Sequence, residues 1–215
     1  MDKNSITDFN PEAVIIDAGT FPTDRIPLGL LNNCRKIICC DGAANSYLKK
    51  NPGKVWRIVG DCDSLSPEIK KEYAGIIRKN PDQETNDQTK AVQYLAAKGI
   101  SRIAIIAATG LREDHTLGNI SLLMEYLKEG IHARAYTDFG VFIPASGTQT
   151  FFCTEGTQVS IFNFSAKEMS ATGLKYPIRA FTSLWQGTLN QTVSGSFTIN
   201  ADGDYLVYIT YPGTK

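Results

Sequence analysis

The 215-residue chain has no run approaching the ~20 apolar residues that span a bilayer, so no membrane partner is expected. A secretory pattern is missing as well. Residues 1–11 are polar, and the apolar run Val14–Ala18 is shorter than a signal core. Net charge is zero, with 22 basic residues against 22 acidic ones, which leaves no global field to attract nucleic acid. The five cysteines are odd in number and show no zinc spacing. Cys39 and Cys40 are adjacent in a strand-like run and point to opposite faces, so they do not readily bridge. Reduced thiols and a cytoplasmic location are the expectation. There is no Walker A sequence and no Gly-x-Gly-x-x-Gly, so any bound nucleotide is held by another cradle. No reactive Ser or Cys sits in a recognisable elbow, which ranks hydrolase triads low.

What is present is alternation. Apolar, strand-like runs occur at Ala13–Ala18, Lys36–Cys40, Val55–Val59 and Arg102–Ala108, separated by helical patterns. Ser66-Pro67-Glu68 reads as a helix start, with Ser as N-cap and Pro at the first turn, and the helix is expected to run to about Arg78. Thr85 with Gln88 matches a capping box. The strands lack polar alternation, which predicts burial on both faces and a mainly parallel sheet flanked by helices. After about Thr137 the period changes from 3.6 to 2. Gln149–Cys153, Gln158–Phe162, Ser196–Asn200 and Tyr205–Thr210 read as short strands joined by Gly-rich turns. Two domains are therefore expected: α/β over 1–140, and a smaller sandwich or barrel over 141–215.

Four carboxylates on three loops carry the chemistry. Asp61 and Asp63 lie in Val59-Gly60-Asp61-Cys62-Asp63-Ser64, Asp87 in Gln83-Glu84-Thr85-Asn86-Asp87-Gln88-Thr89-Lys90, and Asp114 in Arg112-Glu113-Asp114-His115. In an open α/β sheet, such loops meet beyond the carboxyl ends of the strands. Individually the acids have plain readings as solvated turns or helix caps. Together they need a cation, and Mg²⁺ carrying a polyphosphate is the natural one. Lys90 and Arg112 set positive charge beside Asp87 and Asp114, as phosphoryl-type transfer requires. His115 reads as a base or as a capping residue, and His132 as structural.

These loops, in this order, resemble the thiamine pyrophosphokinase family. The match adds Asp41-Gly42-Ala43-Ala44-Asn45, Gly173-Leu174-Lys175-Tyr176-Pro177 and Gly187-Thr188-Leu189-Asn190-Gln191, and covers nearly the whole chain. The resemblance implies Mg²⁺-dependent transfer of diphosphate from ATP to thiamine, releasing AMP. It also implies a homodimer with its sites at the subunit interface. By the match, Asp61, Asp63, Asp87 and Asp114 are reaction-centre acids, the first three of them metal ligands. Asp41, Asn45, Gln83, Lys90, Arg112 and His115 are expected to contact nucleotide or phosphate. Asn190 and Gln191 are expected to line the thiamine pocket, and Trp185 reads equally as a stacking wall or as an aromatic plug. Leu189, Glu113 and Leu111 depart from the usual pattern. Competing readings are diphosphorylation of another heterocyclic alcohol such as a hydroxymethylpterin, a nucleotide-sugar glycosyltransferase, and a non-catalytic nucleotide or thiamine sensor.

Overall fold

The computed structural model describes residues 4–6 and 8–214. In chain order its elements begin with β1 (Asn4–Ser5), β2 (Ala13–Ile16), α1 (Arg25–Asn33), β3 (Ile37–Cys40), α2 (Ala43–Lys50), β4 (Arg57–Gly60), α3 (Pro67–Glu72) and β5 (Ile77–Lys79). They continue with α4 (Asp87–Ala96), β6 (Arg102–Ile106), α5 (Glu113–Lys128), β7 (His132–Tyr136), β8 (Gly140–Ser146), β9 (Gln149–Phe152) and β10 (Gln158–Asn163). The last are β11 (Met169–Thr172), β12 (Asn190–Gln191), β13 (Ser196–Ala201) and β14 (Asp204–Thr210). The fold is an α/β part with helices flanking a parallel sheet, plus a C-terminal all-β part. Of the described residues, one compact unit takes Pro11–Leu122 and Gly130–Asp138. The other takes Leu123–Glu129, the residues from Phe139 onward and the N-terminal segment through Asn10.

In the first unit, six parallel strands lie in the order β7-β6-β2-β3-β4-β5. From β2 the chain steps outward through β3, β4 and β5, then returns to β6 on the other side of β2. That reversal leaves a crevice at the carboxyl ends of β2 and β6. β2 and β3 are wholly buried, Ala-Val-Ile-Ile and Ile-Ile-Cys-Cys, as unalternating apolar strands must be. Helix α4 covers them with Ala91, Val92 and Leu95, all fully buried. Burying Val92 and Leu95 contributes roughly 1.5–3 kcal/mol each.

Two local expectations need correction. The helix after Ser66 stops at Glu72, a 3₁₀ turn spans Ala74–Ile76, and Ile77–Lys79 is a fifth parallel strand paired with β4. Gly75, a poor helix former, lies in that turn. The α4 cap is Asn86, whose side chain accepts from Thr89 N at 2.9 Å. Thr85 lies one residue before the cap position, its hydroxyl turned to donate to Asp82, and Gln88 donates to the Asn119 carbonyl instead of closing a box. Helix α1, for which no element was expected, is capped by Asp24, whose side chain accepts from Ile26 N at 2.7 Å.

The second unit holds two sheets, β12-β10-β14-β8 and β1-β9-β13-β11. All their pairings are antiparallel except that of β1 with β9. Beyond the four expected strands, β8 and β11 complete these ladders. Phe151 and Phe197 stack at 5.0 Å and are buried, and the buried Tyr205 donates to the Gly147 carbonyl at 3.0 Å. No α-helix occurs among the described residues from Phe139 onward. All five cysteines are free thiols.

Candidate active site

Strands β3 and β4 and the start of α4 deliver three acids to one point. Asp41 leaves β3 in a left-handed conformation (φ 35°), Asp61 leaves β4, and Asp87 is the first residue of α4. One carboxylate oxygen from each lies within 4.8 Å of the others. Gly60 lets them meet: a Cβ there would stand 2.8 Å from Asp41 Cβ and 3.1 Å from Asp87 Oδ1.

The cluster is held from outside. Asp41 Oδ2 accepts from Ser64 N at 3.0 Å, while its buried Oδ1 has no hydrogen-bond partner among the described residues. Asp61 Oδ1 accepts from Asp63 N at 3.1 Å, and that bond, foremost, keeps its carboxyl below the usual range. Asp87 is pushed up, chiefly by burial and further by Asp41 and Asp61, against the opposing Lys90 ammonium. Lys90 itself is buried and sits 3.1 Å from Asp87 Oδ1. An all-oxygen set containing an orphaned buried oxygen fits a hard divalent cation such as Mg²⁺.

The acids open into a cleft of about 370 Å³, lined also by Asp17, Ser64, Gln83, Lys90, His115 and Asn119. The remaining expected site residues divide. Gln83 Nε2 lies 3.5 Å from Asp61 Oδ2, at the cleft wall. Asn45 acts on the loop: Nδ2 donates to Ser64 O at 2.7 Å, and Oδ1 accepts from Ser66 N at 2.9 Å. Asp63 is exposed and outside the cluster, because buried Cys62 between it and Asp61 takes φ 67°. Asp114 and Arg112 are both exposed and form a two-bond ion pair at 3.1 and 2.6 Å, which holds the Asp114 carboxyl low. Neither of them lines the cleft.

Trp185, Asn190 and Gln191 belong to the other unit. Trp185 is 74% exposed on a 3₁₀ turn, Leu184–Gly187. Asn190 is buried and its carboxamide is spent internally, accepting from Tyr176 N at 3.1 Å and donating to Tyr176 O at 2.8 Å. Gln191 donates to Gly156 O at 3.1 Å. Leu189 is 75% exposed with φ 63°.

Asp17, absent from the expectations, closes the floor of the cleft. It follows β2, is 6% exposed, and neither oxygen has a hydrogen-bond partner among the described residues. Its only signal in the sequence is an acid ending the apolar run Val14-Ile15-Ile16. Burial, first, and the Asp87 charge raise its carboxyl to about 7, only partly opposed by the nearby Cys40 thiol, whose hydrogen is directed to Asp87 O at 3.5 Å. A folded value above the unfolded one gives stability that is complete below about pH 4 and is lost as pH rises through 7. At roughly 1.4 kcal/mol per pKa unit, the loss amounts to a few kcal/mol. In metal-free buffer, urea midpoints are therefore expected to fall between pH 5 and 8, and less steeply for Asp17→Asn. Parallel curves for the two proteins would refute this.

These features define an α/β protein with an acid-lined ligand cleft beyond the carboxyl ends of its strands, joined to an all-β domain. Two family models match: "Thiamin pyrophosphokinase, catalytic domain" over residues 28–135 and "Thiamin pyrophosphokinase, substrate-binding domain" over 140–208. The chain belongs to the thiamin pyrophosphokinase family. It is 30% identical over 121 residues to "Thiamine pyrophosphokinase 1" of Oryza sativa subsp. japonica, covering 45% of this chain and 46% of that protein. The chain thus spans less than half the length of this curated relative. Thiamine pyrophosphokinase from Bacillus subtilis superposes with a TM-score of 0.75 at 22% identity, covering 94% of this chain and 99% of that one. The Candida albicans enzyme gives 0.75 at 18%, covering 98% and 93%. At these identities the two structures support the fold.

Proposed function

We propose that the protein is a thiamine diphosphokinase, transferring diphosphate from ATP to the thiamine hydroxyl in an Mg²⁺-dependent reaction. The observation that carries this reading is the convergence of Asp41, Asp61 and Asp87 beside Lys90 in one cleft. The family match over both domains supports the choice of acceptor and donor. The thiamine hydroxyl oxygen attacks the β-phosphorus, the bond from that phosphorus to the α-phosphate oxygen breaks, and AMP leaves. The hydroxyl proton passes to a cleft carboxylate or to water.

Asp41, Asp61 and Asp87 would hold the cation, which supplies charge neutralisation for the polyphosphate. Lys90 sets the orientation of Asp87 and adds positive charge at the phosphate end. Gln83 and His115 would face the nucleotide from the cleft wall, and Arg112 with Asp114 supplies an exposed charge pair outside the cleft lining. Trp185 and the neighbouring Leu189 offer an exposed apolar surface for the thiamine rings. The family also supports a homodimer with composite sites and a cytoplasmic location.

The test is product analysis with Mg-ATP and candidate acceptors. Thiamine diphosphate and AMP in equal amounts are expected. ADP in place of AMP, or AMP formed with a hydroxymethylpterin and not with thiamine, would overturn the reading. Thiamine binding without turnover would identify a sensor.

A further inference from the structure

Asp17 has no place in the scheme above, yet it lines the same cleft. Its carboxyl is more than nine-tenths buried, with both oxygens lacking a hydrogen-bond partner among the described residues. A buried carboxylate left in that state costs several kcal/mol, so an ionised Asp17 in this cleft calls for a counter-ion or a donor from a ligand. It stands at the carboxyl end of β2, where the strand order reverses and ligands of open α/β sheets bind.

The neighbouring charges favour a cation over a neutral donor. Four carboxyls, Asp17, Asp41, Asp61 and Asp87, line the cleft against one lysine, Lys90, which is already tied to Asp87. With Asp17 ionised, one divalent ion leaves that wall negative toward an incoming polyphosphate and two bring it past neutral, so the Asp17 charge and a second ion go together. Asp17 is not part of the group whose oxygens lie within 4.8 Å of one another, so a single ion does not take all four acids. Asp17 and Asp87 both line this cleft, and Asp87 is the member of the three-acid cluster whose backbone meets Cys40 at the end of β3, which makes it the shared neighbour.

We propose that Asp17 and Asp87 hold a second divalent cation, with Asp87 bridging it to the ion of the Asp41–Asp61–Asp87 cluster. Such a pair would supply further charge neutralisation for a displacement at phosphorus. The inference rests on the metal–polyphosphate reading of the cleft and adds a separate ion, with a ligand that the family resemblance does not supply.

The test counts Mn²⁺ on the full-length, nucleotide-free protein by the electron paramagnetic resonance signal of the free ion. Two ions per chain are expected for the wild type. Asp17→Asn, isosteric and one buried charge fewer, is expected to keep the first ion and weaken the second more than tenfold. Asp17→Ala replaces it if the Asn variant does not fold, as judged by near-ultraviolet circular dichroism. Equal counts in wild type and variant, whether one or two, would overturn the inference and leave the reading of the cleft intact. A wild type that binds no Mn²⁺ would overturn it as well. The fate of the broader reading is then decided separately, by AMP formation from Mg-ATP and thiamine.

Discussion

Asp61→Asn is expected to lower kcat about a thousandfold while leaving the protein as stable as the wild type, whereas Asp87→Asn loses both activity and stability. The common loss follows from the site. Each acid contributes an oxygen to a group within 4.8 Å, and removing one charge from a preorganised polyphosphate site costs two to three orders of magnitude. Asp61 is linked mainly to its own loop, through Asp63 N and Gln83, and Asn retains an oxygen to accept from Asp63 N. Asp87 differs because it is the partner of Lys90, whose side chain is only 3% exposed. Neutralising Asp87 strands a buried ammonium. The fully buried case costs 3–5 kcal/mol, and the partial exposure of Asp87 reduces that to about 1–3 kcal/mol.

A further substitution separates the two effects. Asp87→Asn combined with Lys90→Met is expected to regain most of the lost stability and none of the activity. Urea denaturation and initial rates at limiting Mg²⁺ supply both readings. A near-wild-type rate for Asp61→Asn at limiting Mg²⁺ would remove that residue from the metal site.

How far this site was legible from sequence depends on what each residue's neighbours in the chain reveal. The parallel sheet was readable because Val14-Ile15-Ile16 and Ile37-Ile38-Cys39-Cys40 lack polar alternation, and burial on both faces is what such runs mean. Strand β5 was not, because Ile77-Arg78-Lys79 continues the mixed charge pattern of the preceding helix. Its strand character comes from pairing with β4, a tertiary fact. Asp61 and Asp87 announced themselves by following a strand and opening a helix. Asp63 shared the first signal, but the turn at Cys62 leaves it exposed, and a two-residue spacing does not disclose that turn. Asp41 read as a nucleotide contact, and the sequence did not disclose that its carboxylate joins those of Asp61 and Asp87. Asp17 was hidden by its setting, since an acid ending an apolar run is also what a solvated strand end looks like. Only the burial of both its oxygens distinguishes it. Asn45 and Asn190 show the reverse: polar residues in recognisable motifs whose side chains are committed to their own backbone surroundings.

Gly60→Ala is expected to be nearly as damaging to catalysis as the loss of an acid, although it removes no functional group. A methyl at this position would lie 2.8 Å from Asp41 Cβ, closer than side-chain carbons approach, and 3.1–3.2 Å from the Asp87 carboxyl. Asp41 cannot swing aside cheaply, because the contact is at its Cβ and its Oδ2 is fixed by Ser64 N. Asp87 is fixed by Lys90 and by its place at the start of α4. The strain therefore goes into separating the two acids or shifting the end of β4, at about 1–3 kcal/mol of stability. Displacements of a fraction of an ångström in a metal-binding group weaken the ion and misalign what it carries, so a loss of about a hundredfold in kcat/KM is expected. Mn²⁺ affinity should fall in parallel. If Gly60→Ala lowers the denaturation midpoint but keeps wild-type Mn²⁺ affinity and rate, then the close approach of Asp41 and Asp87 serves packing alone. The metal must in that case be held by some other combination of the cleft acids.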